Sequence, residues 1–236
     1  MKALVTGLCM LLCVGLLQAQ FTYGLKAGTN FGGPLGNIEG TGTPIPGIDA
    51  GVELGYRFST KSSFVVNLLY TFYAANYTQV SQGDSTVYIT IGNQQVPVNA
   101  TYTNNVNGKL RLHYLNFSVW YRYNLTKRVA IDAGPVFCYL FAGSDKGTNN
   151  VVFVENGIFN QTVAFNNYGD IAKTDIALSL GGSYTTNYGL SIGMFAMRGF
   201  RSLYRPGFFS ARGVNEAKLY NTFMHLTIGY TFGKRT

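Results

Sequence analysis

A period of two constrains this chain more than any other feature. In residues 21–31 (FTYGLKAGTNF) the odd positions carry Phe21, Tyr23, Leu25, Ala27, Thr29 and Phe31. The even positions carry Thr22, Gly24, Lys26, Gly28 and Asn30. Such alternation makes a β-strand with one apolar face and one small or charged face. A tilted strand of about 9–11 residues is also what crosses a bilayer. Comparable patterns run through 48–58, 64–72, 111–124, 129–141, 174–184, 188–196 and 222–232, making eight segments. Two irregularities are expected. Leu110, Leu112 and Tyr114 fall out of phase with the apolar set from Leu115 to Tyr123, which predicts a β-bulge near His113 and Tyr114. Pro135 donates no ladder bond, so a bulge is expected there too.

The connections alternate as well. Long segments occupy 32–47, 77–109, 143–170 and 199–218; tight turns occupy 59–62, 125–128 and 185–187. The first long segment, GGPLGNIEGTGTPIPG, has no periodicity and reads as a loop. Within the second, 85–91 and 94–102 flank Gly92-Asn93 as a hairpin. Within the third, 151–155 and 158–165 flank Asn156-Gly157, which suits a type I′ turn. Together these give two extracellular hairpin extensions. An even strand count with long loops at one end and tight turns at the other is the pattern of an outer-membrane barrel. The expected fold is all-β, an eight-stranded antiparallel up-and-down transmembrane β-barrel with long extracellular loops and short periplasmic turns.

A water-soluble eight-stranded barrel would bury its apolar face around a ligand. Here the complement of the apolar face is rich in Gly, Ser and Asn, which suits a narrow interior. Aromatics gather at segment ends, with Phe21, Tyr56, Phe58, Phe64, Tyr121, Tyr184, Tyr188, Tyr230 and Phe232 toward the turns. Phe31, Phe72, Tyr139 and Phe141 lie toward the loops. Two aromatic girdles anchor such barrels at both interfaces. The apolar face therefore belongs in lipid.

The N-terminus agrees. Met1-Lys2, an apolar run over 3–17 and a small residue at Ala19 describe a secretory signal peptide, so 1–19 is expected to be removed and 20–236 to form the barrel domain. No apolar run beyond it reaches helical transmembrane length, and only a closed barrel lets strands cross. Two of the three cysteines lie in the leader, leaving Cys138 as a small strand residue with no disulfide partner. A net charge of +8 in an exported barrel does not point to nucleic acid.

Lys26, Asp49, Glu53, Arg57, Arg122, Asp132 and Asp175 all fall on inward positions. Isolated buried charges are costly, so these residues are expected to pair in a network that plugs the lumen, with Glu53 as the counter-ion of Lys26. An ion path or proton relay would use the same residues. The two histidines, His113 and His225, lack the spacing of a metal or catalytic motif. His225 faces the lumen, with Asp175 and Asp49 as candidate neighbours. No cofactor, metal or catalytic set is expected, and the reading is non-enzymatic. Arg198, Arg201, Arg205 and Arg212 surround the last long loop as candidate lipopolysaccharide contacts, because guanidinium groups bind phosphate bidentately. Lys61, Lys127, Arg128, Lys234 and Arg235 line the opposite rim.

The stretches GLKAGTNF at 24–31, GIDAGVELGYRF at 47–58, HYLNFSVWYRYNL at 113–125, AGPVFCYLF at 133–141, the run from Asp175 to Tyr184 and LTIGYTFGK at 226–234 resemble the small outer-membrane β-barrel family of Bacteroidota, labelled PorT-like. Members commonly open the fourth strand with Tyr-Leu-Glu-Ile-Pro, where this chain has Tyr-Leu-Asn-Phe-Ser. The resemblance implies assembly by the outer-membrane insertion machinery, with Phe232 part of the C-terminal signal, and residence in the outer membrane among its lipids. The expected protein is a monomeric barrel with a structural, adhesive or envelope-complex role. The alternative is a narrow pore or lipid-binding barrel, and an outer-membrane enzyme ranks below both.

Overall fold

The alternating segments become strands in the computed structural model, which describes residues 20–36, 41–153, 159–206 and 218–232. Residues 1–19, expected to be a signal peptide, Asn156-Gly157, Arg212 and the segment with Lys234 and Arg235 lie outside the described residues. The strands are β1 (Phe21–Gly36), β2 (Thr41–Arg57), β3 (Ser62–Ile91), β4 (Gln94–Asn124), β5 (Val129–Phe153), β6 (Phe159–Asn166), β7 (Thr174–Thr185), β8 (Leu190–Ser202) and β9 (Leu219–Phe232). All pair antiparallel, and eight of them close into a ring in the order β1-β2-β3-β4-β5-β7-β8-β9. β6 stands outside the ring, on β5.

Closure can be read from the register. Phe21 pairs with Tyr56, Tyr56 with Phe64, Phe64 with Tyr121 and Tyr121 with Ala133. Ala133 pairs with Leu180, Leu180 with Ala196, Ala196 with Met224, and Met224 with Phe31. One circuit therefore climbs β1 by ten residues, from Phe21 to Phe31. Such a stagger tilts the strands, and eight strands leave an interior just wide enough for side chains.

Every residue on that circuit lies on the outward face. Leu25, Ile48, Leu178, Leu180, Ile192, Met194 and Ile228 are each at least half exposed, in a continuous apolar band far larger than the few hundred Å² a soluble monomer shows. Aromatics bound the band. At the turn end Phe21 packs on Tyr56 (5.0 Å), Tyr23 on Phe232 (5.4 Å) and Phe58 on Phe64 (5.2 Å). At the loop end His113 joins Tyr70, Phe72 and Phe141.

Five expectations change. Residues 32–47 are mostly not loop: β1 stays paired with β9 to Gly36, and β2 pairs with β3 from Thr41. These extensions rise beyond the apolar band, where neither face must be apolar, so the alternation that marks a strand is missing. The two expected hairpin extensions are one sheet. β3 and β4 pair without a register break out to Ile91 and Gln94, and β4 stays on β5 out to Tyr102 and Phe153. With β6 added, four strands project past the ring. Residues 73–91 of β3 alone extend roughly 60 Å at ~3.3 Å per residue. At its tip Gly92 has φ +64°, a conformation glycine adopts without Cβ cost.

The register does shift between His113 and Tyr114, but the extra residue is Phe141 on β5, since His113 pairs with Ala142 and Tyr114 with Leu140. β4 itself alternates unbroken, so Leu110, Leu112 and Tyr114 point inward and are buried. Pro135 causes no shift. β5 keeps one register with β7 through Pro135, and its pairing with β4 resumes in the same register on either side.

The interior is not uniformly small and polar. Its loop-end half is an apolar core of Tyr73, Leu110, Leu112, Tyr114, Val136, Cys138, Leu140, Met197 and Phe223. Over it fold two chain segments, with Ile171 bridged to Tyr204 and the Ala172 N–H donating to the Leu203 carbonyl at 2.7 Å. Ile171 and Leu203 are fully buried by this.

Candidate functional site

The turn-end half of the lumen holds a connected set of charges. Lys26 of β1 forms an ion pair with Glu53 of β2 and donates to Asn67 Oδ1 at 2.9 Å. Its ammonium also lies 5.0 Å from the Trp120 ring and 5.4 Å from Phe195, and those rings stack at 4.6 Å. A cation over aromatic faces gains from the ring quadrupole. Glu53 then receives the Arg122 guanidinium of β4, Nη1 to Oε1 at 3.2 Å and Nη2 to Oε2 at 3.3 Å. The same guanidinium donates to Asp132 of β5, Nε to Oδ1 at 2.6 Å and Nη2 to Oδ2 at 3.1 Å. Ser183 Oγ of β7 donates to Asp132 Oδ2 at 3.2 Å.

Two cations thus alternate with two carboxylates from β1 to β5, which stand opposite each other in the ring. The chain is a chord across the lumen with no net charge. Bidentate geometry at both of its ends lets one arginine satisfy two buried carboxylates. Beside it remains a polar cavity of about 10 Å³ lined by Lys26, Arg122, Ser183, Ser191, Phe195 and Thr227, room for about one water molecule.

Above the chord the pairing changes. Asp49 meets His225 of β9, Nδ1 to Oδ2 at 2.8 Å, and accepts from Asn30 at 3.1 Å and Thr71 at 2.8 Å. Asp175 lies apart from this pair and accepts from Asn221 at 3.0 Å and from the Arg201 backbone N–H at 3.0 Å. Arg57 sits at the turn-end rim, half-buried, its backbone N–H on the Gln20 carbonyl at 2.9 Å. The residues expected in one network therefore occupy distinct levels. Lys26, Glu53, Arg122 and Asp132 come together, while Asp49 and Asp175 take other partners.

Several participants were not singled out by sequence. Asn67, Thr71, Asn30 and Asn116, whose amide donates to Thr71 Oγ1 at 3.0 Å, follow from inward parity alone. Asp145 does not, because the extra residue at Phe141 flips the parity of β5. Fully buried, Asp145 accepts from Tyr77 at 2.6 Å and Tyr204 at 2.8 Å, which ties the cover over the loop-end mouth to β3. The two histidines do not converge. His113 faces outward with Tyr70 Oη 2.8 Å from its Nδ1, and His225 faces inward. Among the described residues no three His, Cys, Asp or Glu side chains gather as metal ligands.

Arg198, Arg201 and Arg205 are all exposed at the loop end of β8 and just beyond it. Arg198 lies 5.8 Å from the Tyr220 ring, and Arg201 donates to Thr174 Oγ1 at 2.8 Å.

No protein family and no curated protein matches the chain. Among solved structures, Ail, the attachment invasion locus protein of Yersinia pestis, is similar over 90% of this chain and 99% of its own, at 10% identity and a TM-score of 0.43. Neisserial surface protein A is similar over 90% of this chain and 97% of its own, at 12% identity and 0.34. The outer membrane protease OmpT from Escherichia coli is similar over 91% and 97%, at 9% identity and 0.31.

Proposed function

We propose that the chain is a monomeric outer-membrane β-barrel protein with a plugged lumen and a structural, adhesive or envelope-complex role. The observation that carries this reading is the interior itself: a neutral charged chord crosses the ring, and an apolar core closes the loop-end half above it. A passage would need a continuous wet surface, and neither layer offers one. What remains for function is the projecting sheet and the two rims, and loops on rigid scaffolds are where binding concentrates.

The membrane reading rests on the chain's own outward apolar band and its aromatic boundaries. In this reading residues 1–19 direct export, and Phe232 contributes to the insertion signal. The PorT-like resemblance adds a Bacteroidota outer-membrane barrel as the family and a secretion-type envelope assembly as the partner. Arg198, Arg201 and Arg205 face lipopolysaccharide phosphates from the loop-end rim, and Arg212 is proposed as a further contact from its sequence position alone; replacing the four with glutamine lowers co-purified lipopolysaccharide, and unchanged binding contradicts that contact.

Thiol accessibility tests the topology. In a Cys138→Ala background, Asn93→Cys reacts with a membrane-impermeant maleimide on intact cells, whereas Lys127→Cys reacts only after the outer membrane is permeabilised. Labelling of Lys127→Cys on intact cells refutes the assigned orientation.

A further inference from the structure

Strand pairing brings together cations that are far apart in sequence. Asn76 on β3 lies opposite Lys109 on β4, Lys109 opposite Lys146 on β5, and Lys146 opposite Asn166 on β6. All four are exposed. Arg111, two residues closer to the apolar band, is exposed on the same face, opposite Ser144. The adjoining row outward is Thr78, Asn107, Thr148 and Ala164, so neither row brings a carboxylate. Asp145, next to Lys146 in sequence, is buried on the other face beneath Tyr77 and Tyr204. Among the described residues, the ion pairs of the structure do not include Lys109, Arg111 or Lys146.

Two lysines directly opposite in an antiparallel pair repel and destabilise the sheet. An anion between them reverses the sign. Height identifies the anion. Arg111 is the next outward position beyond His113, which packs in the loop-end aromatic girdle. With ~3.3 Å per residue and a tilt of ~45°, Arg111 stands roughly 5 Å and the lysine pair roughly 9 Å beyond those rings. That is the headgroup layer. Lysine ammonium, arginine guanidinium and the amides of Asn76 and Asn166 are all groups that donate to phosphate oxygens.

We infer that Lys109, Lys146 and Arg111 form a clamp for a phosphate group of an outer-leaflet glycolipid, an inference that rests on the membrane reading above. The clamp is separate from Arg198 and Arg201, because β7 lies between β5 and β8.

The test uses the full mature chain inserted in neutral phosphatidylcholine vesicles and titrated with bisphosphorylated lipid A, dephosphorylated lipid A or inorganic phosphate. The bisphosphorylated lipid binds the wild type, and Lys109→Gln, Lys146→Gln and Arg111→Gln combined weaken it about a hundredfold, from ~1 kcal/mol for each cation near an anionic surface. Equal affinity for wild type and triple variant overturns the clamp. So does displacement of the lipid by inorganic phosphate, which assigns the patch to a free anion.

A second readout depends on sign. Lys146→Gln raises the thermal midpoint in neutral vesicles by removing repulsion, and lowers it relative to wild type once lipid A is present. A fall in both media overturns the proposal, since it makes the lysine merely structural. Protease resistance scores insertion separately. A wild type that fails to insert refutes the membrane reading, whereas variants that insert normally and bind lipid A like wild type refute the clamp alone.

Discussion

Arg122 is the residue on which the interior depends most. Among the described residues it alone joins Glu53 to Asp132, and removing one partner of a buried pair costs about 3–5 kcal/mol because the other charge stays buried. Arg122→Met is therefore expected to lower the unfolding free energy in vesicles by about that amount in a urea titration. Arg122→Lys keeps the charge but not the fork, and should lose about 1–3 kcal/mol as hydrogen bonds to charged groups go unmade. Equal losses for the two would mean that charge alone matters. Trp120, the only tryptophan, reports on the same layer. Stacked on Phe195 beneath Lys26, it should resist quenching by acrylamide while the barrel is folded; free quenching would place it on a wet passage.

At this scale the sequence was informative in a particular way. Parity assigned Lys26, Glu53, Arg122 and Asp132 inward, and proximity on neighbouring strands pointed to Lys26 with Glu53. It could not show that Arg122 spans two carboxylates, because that depends on the curvature of the ring. Nor could it separate Asp49 and Asp175 from the chord, since strand position counts height only along one strand and the stagger between strands moves them apart.

The elements divide by what surrounds them. Within the apolar band the two faces meet opposite media, so alternation is strict and the strands were legible to within a few residues. Beyond it the constraint disappears, and β1 and β2 run on through Gly- and Pro-rich sequence that looks like loop. The inward Leu110, Leu112 and Tyr114 show the converse. Their parity was continuous all along, but apolar residues on a lumen face contradicted the expectation of a polar interior and so suggested a bulge in the wrong strand. The projecting sheet hangs on ring strands that are already closed beneath it. Joining Thr78 to Asn107 and Lys146 to Asn166, each through an Asn-Gly turn, should leave a barrel that still migrates anomalously on unheated gels. Loss of that behaviour would make the sheet part of the folding unit.

Over the whole molecule, most of the described carboxylates are buried and most of the described cations are exposed. Asp49, Glu53, Asp132, Asp145 and Asp175 are buried, whereas Lys61, Lys127 and Arg128 at one rim and Lys109, Arg111, Lys146, Arg198 and Arg201 at the other are exposed. Asp84 and Asp170 are exposed carboxylates, but the exposed cations outnumber them, and in the membrane reading proposed above those cations face lipid headgroups at the two rims. Above all, the proposed function requires that this ring is closed inside. Single-channel recording in planar bilayers tests it most directly, with wild type beside Glu53→Gln. Glu53→Gln cuts the chord at its middle but leaves the apolar core above it intact. No stable conductance step is expected for either protein. Regular large steps in the wild type, altered in size or selectivity by Glu53→Gln, would show that the charged residues line an open path and would contradict it.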